Sequence, residues 1–94
     1  MFVLHVDMAI KPDSREVLKK IYLEIFKPAL SAQEGFDSVS LLFPVEKDDE
    51  YRLSIAFDQQ ASQQKWVATD LHQQVWPQME EQFVRYSVKP FTAF

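Results

Sequence analysis

Two histidines and a nearby carboxylate are the residues of this chain best suited to proton transfer. His5 and Asp7 are two positions apart in a segment of alternating polarity, so both side chains point to the same side of a β-strand. An imidazole titrates close to neutral pH, and a neighbouring carboxylate can orient it or tune its pKa. His5 is therefore a candidate general base, and a hydrogen-bonded histidine at a subunit interface is the alternative.

Several other kinds of site lack the residues that they need. The chain has no cysteine, which removes thiolate nucleophiles, iron–sulfur clusters, cysteine-bound zinc and disulfides. Gly35 is its only glycine, so a glycine-rich phosphate-binding loop is excluded. His5, His72 and Asp7 could in principle bind iron, but nothing in their spacing brings them together. No metal site is predicted.

Composition narrows the class of protein further. The 94 residues suit one domain over 1–94, and the net charge of −4 comes without any cluster of lysine and arginine. Nucleic acid and anionic membrane are therefore not expected as partners. The apolar start has no basic lead-in and is too short to cross a bilayer, so it indicates a strand and a cytoplasmic protein. The chain is 47% hydrophobic, which leaves apolar surface for an interface.

Hydrophobic periodicity predicts the order strand, helix, strand, strand, helix, strand. In the first helix, Asp13 and Glu16 resemble a capping box, and Pro28 should bend the helix or end it early. The later helix should be broken, with a second cap at Thr69 or Asp70. The predicted strands are 2–10, 36–44, 51–58 and 83–91, with a charged connection at 45–50.

This order folds most simply as an α+β domain of ferredoxin-like βαββαβ topology. Its four-stranded antiparallel sheet would carry both helices on one face. The opposite face would be half polar, and it either meets water or pairs with a second subunit to enclose a chamber. The polar residues expected on that face are His5, Asp7, Ser38, Ser40, Arg52, Ser54, Arg85 and Ser87.

Several short segments are informative when taken in order along nearly the whole chain: Ile10-Lys11-Pro12, Glu34-Gly35-Phe36 and Ala56-Phe57-Asp58, followed by Trp66, Asp70 and His72. Together they resemble the antibiotic biosynthesis monooxygenase family. The resemblance implies a ferredoxin-like subunit that forms a homodimer of the dimeric α/β barrel type. It also implies, in active members, oxidation of aromatic polyketides or quinols without a metal or organic cofactor.

Oxygenation without a cofactor requires a phenolic substrate to be deprotonated, held and shielded from water. His5 is one candidate base, and His72, which stands where family members often have a histidine, is the other. Arg52 or Arg85 could hold the phenolate on the polar face, with Asp7 beside them. Trp66 could form a wall of the substrate pocket, although a tryptophan on an amphipathic helix also suits a core.

The expected function is thus that of a monooxygenase, an oxidoreductase acting on a small aromatic ligand in a pocket between sheet and helices of a homodimer. Whether the chain is an enzyme stays open. The alternative is a non-catalytic, dimeric ligand-binding or stress-associated protein that keeps the fold.

Haem is a minor possibility, because a related branch of the superfamily degrades it. Trp66 fits that branch, but the residue ten positions later is Trp76 where the axial histidine is expected. His5 likewise stands near the expected asparagine, so haem would need His72 or His5 as its ligand.

Overall fold

The computed structural model describes residues 1–47 and 49–94, so Asp48 in the charged connection lies outside the described residues. Four antiparallel strands form one sheet in the order β2-β3-β1-β4, with all helices on one face, and the predicted ferredoxin-like α+β fold is confirmed. The strands are β1 (Phe2–Ile10), β2 (Phe36–Leu42), β3 (Tyr51–Phe57) and β4 (Phe83–Thr92).

The central strand β1 sets the two faces of the sheet. Val6 pairs with Leu53 of β3 and Val88 of β4, and it is buried on the helix side. Asp7, the next residue, pairs with Arg52 and Ser87 on the other side. Because the side chains of a strand alternate, every second residue of β1 faces the helices, and the intervening ones face away.

The first helical region accommodates Pro28 without ending. It consists of α1 (Arg15–Ile21), a π-helical turn (Tyr22–Phe26) and α2 (Lys27–Ser31). Proline has no N–H to donate and its ring crowds the preceding turn, so the helix widens just ahead of it. Phe26, the last residue of this turn, lies in the core with 1% of its surface exposed.

The predicted capping box at the start of α1 is wrong. Asp13 adopts a left-handed backbone with φ 63°, and Ser14 takes the N-cap position without a side-chain hydrogen bond. The Ser14 N–H instead donates to the Lys11 carbonyl at 3.1 Å, which closes a turn with Pro12 at its second position. Asp13 therefore serves the turn and not the helix.

The second helical region is broken, as the sequence predicts, into α3 (Gln60–Val67) and α4 (Asp70–Glu80). Thr69 is the N-cap of α4, and its Oγ1 accepts from the His72 N–H at 3.1 Å. The same hydroxyl donates to the Trp66 carbonyl at 2.7 Å. One threonine thus fixes the end of α3 against the start of α4.

Gly35 holds the turn before β2 close to the start of α3. Its φ is +81°, a conformation that L side chains rarely adopt, and a Cβ there would overlap Ser62 Oγ and Asp58 Oδ1. Its carbonyl accepts from the Asp58 N–H at 2.8 Å, and Ser62 Oγ donates to the Asp58 carboxylate at 2.6 Å. A glycine is therefore required where these segments meet.

The main hydrophobic core lies between the helices and the sheet. Among the described residues, no helix is long and apolar enough to span a membrane.

Candidate functional site

A cavity of about 200 Å³ lies between the helices and the sheet. Apolar and aromatic side chains form most of its wall, and the polar groups among them are Gln63, His72 and Tyr86. Such a lining is typical of small-molecule sites, in which a few polar groups orient a largely apolar ligand. The full lining is Leu4, Val6, Phe26, Ile55, Phe57, Gln63, Trp66, Val67, His72, Trp76, Tyr86 and Val88.

Trp66 forms the buried end of the aromatic wall. It has 2% of its surface exposed, and its ring meets Phe26 edge to face with centroids 6.3 Å apart. The His72 ring lies 5.1 Å from Trp66, nearly perpendicular to it. Trp66 is thus both a core residue and a cavity residue, so the two interpretations of this tryptophan are compatible.

His72 lies in the first turn of α4 and is half-buried. Its ring stacks on Trp76 with an interplanar angle of 15° and a centroid distance of 6.2 Å. Burial lowers the pKa of His72 below its usual value, because the charged imidazolium loses water on entering this site. Burial therefore favours the neutral imidazole, which is the form able to accept a proton.

The side chain of Gln73 lies beside the His72 ring. Its amide nitrogen donates to the Val67 carbonyl at 3.0 Å and lies 3.4 Å from His72 Nδ1. Which ring nitrogen carries the proton depends on the tautomer, and in either neutral tautomer one ring nitrogen has no proton and can accept one.

The mouth of the cavity lies between α3 and the edge strand β4. Val67, Tyr86 and Val88 line it and are 38%, 42% and 51% exposed. The Tyr86 hydroxyl donates to Glu80 at 2.6 Å. The opening is therefore apolar, with one fixed polar group at its rim.

The opposite face of the sheet carries a separate polar cluster. Arg52 donates to both carboxylate oxygens of Asp7, at 2.7 Å and 3.3 Å. This hydrogen bond is the main reason why the pKa of Asp7 is lowered. The His5 ring packs against Phe91 at 5.0 Å. The hydrogen-bond partner of Asp7 is thus Arg52 and not His5.

Arg85 also lies away from the cavity. It is opposite Ala9 in the pairing of β1 with β4, and its guanidinium is 3.9 Å from Glu50. The six predicted site residues therefore divide into two groups. Trp66 and His72 meet at the cavity, whereas His5, Asp7, Arg52 and Arg85 lie on the other side of the sheet and do not line it.

Sequence reasoning missed two polar residues of the cavity wall. Gln63 precedes Trp66 by three positions, a spacing that places both on one face of α3. Tyr86 alternates with Arg85 and Ser87, a pattern that predicts only that it lies on the opposite face of β4 from them. The spacing of Gln63 was a usable signal, but no local signal distinguishes a cavity tyrosine from a core tyrosine.

Among the described residues, no group of three or more histidine and acidic side chains is placed to hold a metal ion. The polar groups of the cavity are two nitrogen-bearing side chains and one phenol. The chemistry that these groups can offer is proton transfer and hydrogen bonding.

The sequence of this ferredoxin-like domain matches a known protein family. The model of the antibiotic biosynthesis monooxygenase family matches residues 1–77, and the chain belongs to that family. No curated protein matches the sequence significantly.

Solved structures share the fold at low sequence identity. SnoaB, a cofactor-independent oxygenase from Streptomyces nogalater solved as a mutant, is 14% identical over 98% of this chain and 91% of its own, with a TM-score of 0.85. A putative antibiotic biosynthesis monooxygenase from Nitrosomonas europaea is 13% identical over 99% and 98% of the two chains, with a TM-score of 0.82. Rv0793 from Mycobacterium tuberculosis is 16% identical over 99% and 94%, with a TM-score of 0.79. At these identities the likeness shows the fold.

Proposed function

We propose that this chain is a cofactor-independent monooxygenase that oxidises small, electron-rich aromatic substrates such as quinols, with His72 as the general base. One observation carries the proposal: the His72 imidazole lies between two tryptophan rings in the wall of an apolar cavity. Membership of the monooxygenase family supports the reaction class.

The dimensions of the cavity favour substrates of one or two rings. Its volume of about 200 Å³ is below the range of roughly 300–1,000 Å³ found for sites of drug-sized ligands. Trp66 and Trp76 offer flat apolar surfaces against which an aromatic substrate packs. A substrate with three fused rings would have to extend out through the mouth of the cavity, past Tyr86 and Val88.

The proposed chemical step begins with proton transfer to His72. Removing a phenolic proton makes the substrate electron-rich enough to react with dioxygen, and a positioned base of this kind contributes typically ~10²–10⁴-fold to a rate. Gln63 is suited to hold the substrate oxygen through its side-chain amide. The surrounding apolar wall keeps bulk water from the reacting anion.

We further propose that the polar face of the sheet is a homodimer interface. On this face Leu42 and Phe91 are 51% and 43% exposed, apolar surface that a second subunit would cover. The Asp7–Arg52 pair and His5 then have a structural role at the interface. In this arrangement no residue of the polar face contacts the substrate.

Haem is a poor fit to the same cavity. One face of the His72 ring is stacked on Trp76, and the edge of Trp66 approaches it as well. The remaining volume of about 200 Å³ suits a one- or two-ring ligand and not a macrocycle. We therefore propose a reaction without haem. When the protein is titrated with haem, we expect the Soret band to stay at its position in free haem.

Oxygen consumption tests the proposal. Purified protein is supplied with one-ring and two-ring hydroquinones and with a three-ring anthrone, and His72→Gln is compared with His5→Gln. We expect turnover of the smaller substrates, a loss of about 10²-fold or more in kcat for His72→Gln, and a wild-type rate for His5→Gln. Equal losses in both variants, or a loss confined to His5→Gln, contradict the assignment of the base.

Oxygen consumption combined with tryptophan fluorescence distinguishes an enzyme from a non-catalytic binding protein. Both tryptophans of the chain line the cavity, so their fluorescence reports ligand binding there. Quenching by a naphthoquinone without any oxygen consumption from the hydroquinones would favour the binding protein.

A further inference from the structure

Tyr86 and Glu80 form a hydrogen-bonded pair at the mouth of the cavity that the proposed reaction does not use. The phenolic hydroxyl donates to Glu80 Oε2 at 2.6 Å, a short distance of the kind seen when the acceptor is charged. Glu80 is the last residue of α4, and Tyr86 lies just beyond the turn into β4. The phenol therefore has a fixed proton acceptor at the protein surface.

An aromatic series connects this pair to the buried end of the cavity. Adjacent rings along it have centroids 5.1 Å apart for Trp66 and His72, 6.2 Å for His72 and Trp76, and 5.9 Å for Trp76 and Tyr86. Tyr86 is the most exposed of these four aromatic side chains, at 42%. It thus ends the series where the cavity opens to solvent.

The other two tyrosines lack such an acceptor among the described residues. Tyr22 is buried, and burial is the first cause of its raised pKa. Tyr51 accepts from Arg15 at 3.4 Å. Of the three tyrosine hydroxyls, only that of Tyr86 donates to a carboxylate of the described residues, and this bond is the first cause of the raised pKa of Tyr86.

We propose that Tyr86 and Glu80 are a redox-active pair that reduces oxygen-centred organic radicals by one electron. The phenol ring gives an electron to the radical, and the phenolic proton moves along the hydrogen bond to the Glu80 carboxylate. The radical takes that electron and one proton from water and becomes an alcohol or hydroperoxide. Tyr86 is left as a neutral phenoxyl radical and Glu80 as a neutral acid.

The physical reason for the pair is that a phenol loses an electron more easily when its proton leaves in the same step. A carboxylate already bonded to the hydroxyl needs no rearrangement to accept that proton. The pair is also placed to intercept radicals that escape the cavity if oxygen reacts there. Its redox activity does not depend on the proposed oxygenase function, because it can be measured without any aromatic substrate.

The test uses photogenerated tris(bipyridine)ruthenium(III) as a one-electron oxidant and freeze-quench electron paramagnetic resonance as the readout. Wild type is compared with Tyr86→Phe, Glu80→Gln and the matched control Tyr51→Phe. We expect a tyrosyl signal in wild type and in Tyr51→Phe, loss of most of it in Tyr86→Phe, and slower formation in Glu80→Gln. Both members of the pair lie at the surface, so the variants should fold, and circular dichroism checks that they do.

Three outcomes would overturn the proposal. They are absence of a tyrosyl signal in wild type, a signal that survives Tyr86→Phe but is lost in Tyr51→Phe, and equal rates of radical formation in Glu80→Gln and wild type. None of them bears on oxygen consumption, so failure here and failure of the proposed function are distinguishable.

Discussion

Trp66 and His72 lie edge to face with centroids 5.1 Å apart, although they belong to different helices. The link between them is Thr69, whose hydroxyl donates to the carbonyl of Trp66 and accepts from the N–H of His72. The break between α3 and α4 therefore positions the proposed base against the aromatic wall.

Replacing Thr69 tests this link. Thr69→Ala removes the N-cap of α4, and caps of this kind are worth about 1 kcal/mol. We expect the free energy of unfolding in urea to fall by about that amount and kcat to fall as well, because His72 loses its fixed position. Thr69→Ser keeps the hydroxyl and is the control, so equal effects of the two substitutions would argue against the cap.

The pH dependence of stability follows from the burial of His72. Its folded pKa is below the usual 6.5, so as the pH falls below 6.5 the unfolded chain binds a proton before the folded protein does. The free energy of unfolding should therefore decrease as the pH drops from 6.5 to the folded pKa, and His72 adds no further slope below it. His72→Gln should lose this slope and His5→Gln should keep it, as measured by urea unfolding at a series of pH values. The same slope in both variants would contradict the cause given.

Gly35 supplies a stability prediction. Gly35→Ala places a methyl group against Ser62 and Asp58 at φ +81°, and strain of this kind costs on the order of 1–3 kcal/mol. Thermal unfolding should show the loss. Ser62→Ala in the same chain relieves one of the overlaps, so the double variant should be more stable than additivity predicts. If the effects of Gly35→Ala and Ser62→Ala on stability were strictly additive, the overlap with Ser62 would not be the cause of the destabilisation.

The Asp7–Arg52 pair tests the proposed interface. An exposed ion pair contributes about 0–1 kcal/mol to a subunit, so Arg52→Ala should change the unfolding of a monomer little. At the interface, however, it leaves a carboxylate facing the partner subunit, and we expect weaker dimers. Analytical ultracentrifugation should show a dimer for wild type and partial dissociation for Arg52→Ala and Phe91→Arg at equal concentration. A wild-type protein that is monomeric at micromolar concentration would refute the proposed dimer.

The strands and their faces could be predicted because their signal is local. The alternation from Phe2 to Ile10 determines which side chains share a face, whatever strand lies next to β1. The break at Thr69 is local in the same sense, since a capping residue marks it.

The location of the cavity could not be predicted in this way. Leu4 and Val6 have the pattern of core residues, and whether they fill the space beneath α3 depends on how side chains from separate segments pack. For the same reason the sequence left His5 and His72 as equal candidates, although they lie on opposite sides of one sheet. The partner of Asp7 depends on the register between β1 and β3, which pairs it with a residue 45 positions away.

The most direct test of the central proposal is a titration of ¹⁵N-labelled protein with 1,4-naphthoquinone, followed by ¹H–¹⁵N correlation spectra. If the cavity between helices and sheet is the ligand site, the indole N–H signals of Trp66 and Trp76 and the backbone signal of His72 shift together. Shifts confined to the backbone signals of His5, Asp7 and Arg52 would place the ligand on the opposite face and contradict the account.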